Sequence, residues 1–159
     1  MGHLAYKGKK MSQRIIHNFI WAPIFFIGLV SIALGFIWFI HPEPWTLDQP
    51  PNEVLIQTTF KNLFSKEINA FLPEYLLVLY KFFGWWMIII GLLIIIFVLT
   101  TRLSTKNSRY SIYLVLFVNL IGLYYMIFNF LPTSPFKPML YFLTFLLISS
   151  ICFSIVFED

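Results

Sequence analysis

His41 and Glu43 stand two residues apart, each followed by a proline, with Asp48 close behind and Glu74 further along the chain. Imidazole titrates near neutral pH, so a histidine beside a carboxylate can exchange protons. A second carboxylate brought alongside could complete a metal site. His41, Glu43 and Glu74 are therefore the candidate catalytic residues, and a solvated loop without chemistry is the alternative. His3 and His17 are not placed to join them. No helix carries two histidines at ligand spacing, and Cys152 is the single cysteine, so paired-thiol chemistry and a thiolate cluster are excluded. Neither a phosphate-binding glycine loop, a nucleophile elbow nor an H-E-x-x-H zinc helix occurs. The expectation is a chain with no metal and no cofactor.

A second set of polar residues lies deeper in the sequence. Asn119, Gly122, Met126 and Asn129 recur within a narrow arc of one helical face, with Tyr125 at its edge. Amides within a membrane helix are expected to point into protein, where they find partners. Asn119, Tyr125 and Asn129 are thus the candidate ligand-binding residues.

The elements that position these groups are long and apolar. Phe82–Leu99 is eighteen residues without a charge or a proline. As a helix it is roughly 27 Å long, close to the hydrocarbon core of a bilayer. Three similar runs give spans at about 19–40, 73–100, 112–131 and 139–157. Of the 159 residues 59% are hydrophobic and 11% charged, too few charges for a water-facing surface. The fold class is an all-α membrane protein: a four-transmembrane-helix up-down bundle forming one domain over residues 1–159.

Between the first two spans four prolines in HPEPWTLDQPPNE exclude regular helix. Leu55, Ile56, Phe60, Leu63 and Phe64 then recur at helical spacing, which predicts one extracytoplasmic amphipathic helix of about three turns over Asn52–Phe64, within an outer segment reaching residue 72. Gly28, Ser31 and Gly35 form a small-residue stripe, and Gly84 with Gly91 a second; with Gly122 they are the candidate helix-packing residues. Pro23 falls in the first turn or two of its span, where its missing N–H costs little. Met1–Gln13 is expected to be mobile, Trp21, Trp38 and Trp45 to join interfacial belts, and Cys152 to be a buried packing residue.

Seven of the eleven basic residues (Lys7, Lys9, Lys10, Arg14, Arg102, Lys106 and Arg109) fall before the first span or between the second and third. The other side holds four lysines against five carboxylates. That bias predicts cytoplasmic N- and C-termini in the plasma membrane, and it argues against nucleic acid as a partner. The expected partners are the lipid bilayer and a protein partner or second copy docked through the small-residue seams. In length and span number the chain resembles the small four-span proteins of the DoxX type, and no motif carries residues across from them.

Three functions fit these residues. The first is a non-enzymatic accessory subunit or a binder of a lipid or small apolar ligand. The second is a membrane enzyme acting on a lipid or isoprenoid at the outer interface through His41 and Glu43. The third is a subunit of an oligomeric transporter or channel. No uninterrupted span carries an ionisable group at mid-depth, which disfavours a proton-coupled carrier.

Overall fold

The computed structural model describes residues 2–157, with side chains described from Gln13 onward. All the regular structure in this range is helical. The long helices are α1 (Gly2–Ile40), α4 (Leu72–Thr101), α5 (Lys106–Phe130) and α6 (Lys137–Val156). The short helices α2 (Gln49–Leu55) and α3 (Phe60–Phe64), with 3-10 turns at Pro44–Thr46 and Glu67–Asn69, connect α1 to α4. Each long helix is apolar enough over its length to cross a membrane.

The packing centre is α1. It lies against α4 on one side and α6 on the other, and α5 packs on α6. Glycines set the first of these contacts. A Cβ built on Gly35 would come 2.5 Å from the Gly84 carbonyl oxygen, and one on Gly91 would come 2.6 Å from that of Gly28. Gly35 thus meets Gly84 while Gly28 meets Gly91, so the helices run in opposite directions with their backbones touching. Lipid tails are as apolar as the side chains, so hydrophobicity gives no reason for two such helices to associate. Close van der Waals approach does, and it requires residues without a side chain at the crossing.

Ser31, grouped with these glycines in sequence, bonds back to the Ile27 carbonyl at 3.0 Å. Gly122 has nothing within 4 Å of its Cβ position, so it does not serve as a close-packing glycine among the described residues.

The α1–α6 contact is polar at one point. Ser150 is fully buried, and its Oγ donates to the Ile20 carbonyl across 2.5 Å. Because α1 runs back to Gly2, Pro23 lies inside the helix and not near its start as its sequence position suggested. An internal proline removes one backbone donor and forces nearby carbonyls away from their own turn. The missing Pro23 N–H frees the Phe19 carbonyl, four residues upstream, and the adjacent Ile20 carbonyl is met by the Ser150 hydroxyl from the neighbouring helix. Tyr113 of α5 joins the same point, its hydroxyl 2.8 Å from Ser150 Oγ and 3.2 Å from the Ser150 carbonyl.

Four further expectations are corrected. The predicted single amphipathic helix is broken in two. Gln57 has φ of 54°, and Thr59 caps a new helix by accepting from the Asn62 N–H at 3.2 Å. The Glu53 carboxylate then takes the Phe60 N–H at 2.9 Å and ties the pieces together. The third long helix begins at Lys106 and not near Ile112, because Thr105 accepts from the Ser108 N–H at 3.2 Å. Arg109 is therefore helical. Trp38 and Trp45 are buried: Trp38 between Phe83 and Phe136 at 5.1 and 5.2 Å, Trp45 against Phe64 at 5.5 Å. Cys152 is exposed on α6.

Candidate functional site

Three places in the molecule bring polar groups together, and the first is the loop end of the α1–α4 pair. His41 ends α1, and its Nδ1 accepts the Glu43 backbone N–H at 3.1 Å. That bond folds the chain tightly into the Pro44–Thr46 turn, with Thr46 donating to the Glu43 carbonyl at 2.6 Å. The Glu43 side chain is exposed, as is Glu74 in the first turn of α4. No hydrogen bond or ion pair joins His41, Glu43 and Glu74 side chains to one another among the described residues. No group of three His, Cys, Asp or Glu side chains among them is disposed to hold a metal ion.

The polar network at this end is a different one. Tyr80 of α4 donates its hydroxyl to Asp48 Oδ1 at 3.1 Å, and Asn52 of α2 donates to the Tyr80 oxygen at 2.9 Å. Asp48 is half-buried. Burial raises its carboxyl above the ordinary carboxylate value, against the opposing pull of the hydrogen bonds from Asn52 and Tyr80. One turn away, Glu53 Oε1 accepts from Gln49 Nε2 at 2.8 Å as well as from Phe60. Asp48 and Asn52 are residue types that cap helices, and Tyr80 is of a type that joins interfacial aromatic girdles. Asp48 does precede α2, but its side chain makes no capping bond. It is turned toward α4 instead, which the sequence separation of 32 residues concealed.

The second place is the face of α5. Asn119, Tyr125, Met126 and Asn129 are all exposed, and Gly122 lies open among them. The expectation that they point into the protein does not hold within this chain. The buried stripe of α5 is Ile112, Tyr113, Leu116, Leu120 and Ile127, which faces α6. Asn129 donates to the Tyr125 carbonyl one turn back at 2.8 Å. Asn119 makes no hydrogen bond among the described residues. The tyrosine that does turn inward is Tyr124, whose hydroxyl is 3.0 Å from Thr144 Oγ1 on α6.

The third place is the opposite end of the molecule, near the turn between α4 and α5. Arg102 and Leu103 both adopt left-handed backbone, φ 52° and 51°, at a cost of about 1–2 kcal/mol each for residues with a Cβ. That geometry turns the Leu103 and Ser104 carbonyls toward Arg109, which donates to each at 3.2 Å. Arg109 is 1% exposed, and its guanidinium also lies 5.4 Å from the centre of the Phe157 ring. Arg102 stacks over Trp21 at 5.8 Å. A basic residue counted by its charge is thus a structural pin joining the α4–α5 turn to the end of α6. The Thr105-x-x-Ser108 capping pattern was the signal for it. No protein-family model matches the chain, and comparison with curated proteins and with solved structures finds no match either.

Proposed function

We propose that this protein is a non-enzymatic subunit of a plasma-membrane assembly. Its four long helices cross the bilayer up and down, both termini lie in the cytoplasm, and the α2–α3 segment lies on the outer surface. The single observation that carries the subunit reading is the outward face of α5. Asn119 sits midway along a helix that crosses the bilayer, exposed and without a hydrogen bond, one turn from a glycine with open space above it. A bare amide in hydrocarbon is costly, whereas a neighbouring helix lying over Gly122 relieves that cost by bonding it.

The occupant is a second copy of this chain. A two-fold axis along the membrane normal sets every residue at the depth of its own copy, so Asn119 meets Asn119. A carboxamide is both donor and acceptor and can satisfy itself. From Ser111 to Asn129 the face carries no charge that pairing would bury or repel.

Cysteine crosslinking in membranes tests this reading. In a Cys152→Ser background, Gly122→Cys is expected to form a disulfide-linked dimer with a lipid-permeable oxidant. Leu93→Cys, on the exposed side of α4, is expected to stay monomeric. Equal crosslinking at both positions, or none at Gly122→Cys, would overturn the proposal.

A further inference from the structure

We propose that Asp48, Tyr80 and Asn52 form a latch that holds the α2 segment on α4, and that the latch closes more firmly as the surrounding solution is acidified. Its geometry is specific. Two hydrogen bonds, Tyr80 to Asp48 at 3.1 Å and Asn52 to Tyr80 at 2.9 Å, bridge parts of the chain that are 32 and 28 residues apart. They are the hydrogen bonds that tie α2 and its leading residue to a long helix among the described residues. The rest of the segment is held by its own small core, Trp45 against Phe60 and Phe64, and by the bonds that Glu53 accepts. The Pro44–Thr46 turn also packs on α4, so it is α2 that is freed to swing when the bridge opens.

The direction of the pH response follows from the surroundings of Asp48. On its own segment the other ionisable groups are His41, Glu43, Glu53, Lys61, Lys66 and Glu67, and on the adjoining stretch of α4 they are Glu74, Tyr75, Tyr80 and Lys81. Of these only Tyr80 acts on Asp48, alongside the uncharged Asn52; burial outweighs both hydrogen bonds, and no cation compensates the half-buried carboxylate. Its proton is consequently held more tightly when the segment is docked than when it is undocked and hydrated. The docked state binds more protons, so docking strengthens as pH falls through the raised value and levels off below the ordinary carboxylate value of about 3.9. One proton is involved, so the docking constant changes by at most about tenfold per pH unit within that window.

Hydrogen exchange on the full chain in lipid nanodiscs reads the latch directly. After correction for intrinsic exchange chemistry, protection of the amides of Glu53–Ile56 is expected to rise between pH 8 and pH 4, while those of Gly84–Val98 stay constant. Asp48→Asn is expected to give the acid level of protection at every pH. Tyr80→Phe, which removes both bridging bonds, is expected to lower protection throughout. A flat or falling wild-type profile would overturn the proposal. So would an undiminished slope in Asp48→Asn, or protection in Tyr80→Phe equal to wild type.

Discussion

Ser150 holds three helices at one point, with its hydroxyl on the Ile20 carbonyl and the Tyr113 hydroxyl on its own oxygens. Replacing it by alanine removes the Ser150 bonds to the Ile20 carbonyl and to the Tyr113 oxygen, and leaves Tyr113 only its longer bond to the backbone carbonyl at 150. Ser150→Ala should therefore lower stability by about 1 kcal/mol, read as a drop in the thermal midpoint in detergent. Tyr113→Phe leaves the Ser150–Ile20 bond in place and should cost less. Little of this was legible from sequence, because a serine in a membrane helix more often bonds back to its own turn. Pro23 was the available signal. It was set aside because a span beginning near Phe19 puts Pro23 in its first turns, whereas α1 extends back to Gly2. Arg109 was misjudged for a related reason: counting its charge says which side it belongs to, not whether it is buried.

The contact between α1 and α4 is set by four glycines, and the seven-residue spacing of each pair was visible in the sequence. Spacing identifies a face but not its partner, so the meeting of Gly28 with Gly91 and Gly35 with Gly84 emerged only in three dimensions. Gly35→Leu should cost at least about 2 kcal/mol, because the added side chain meets backbone that cannot turn aside. Gly122→Leu in the isolated subunit should leave the thermal midpoint unchanged, since nothing lies within 4 Å. Equal losses from the two would show that spacing alone, and not the observed contact, governs tolerance. The amphipathic segment was legible in its apolar positions but not in its division, because Thr59 sits inside an otherwise continuous helical pattern and competes as a cap.

Among the described residues the main packing order is α4, α1, α6, α5, which leaves α5 at an edge with α6 as its main neighbouring helix. The amides of α5 were recognised in the sequence but assigned to the interior, on the rule that polar groups in membranes face protein. The rule names protein, not this protein's own core, and in the proposed dimer an edge helix satisfies it through another chain. The proposed topology has its own check: Lys66→Cys should react with an impermeant maleimide added outside intact cells and Ser104→Cys should not, and the reverse result would invert the protein in the membrane. The central claim, that α5 pairs with its own copy through Asn119, is tested most directly by native mass spectrometry of protein released gently from its own membrane. The account predicts a dimer for wild type and a monomer of unchanged thermal midpoint for Asn119→Leu. A wild-type monomer, a dimer indifferent to Asn119→Leu, or an unrelated protein retained in place of the second copy would contradict it.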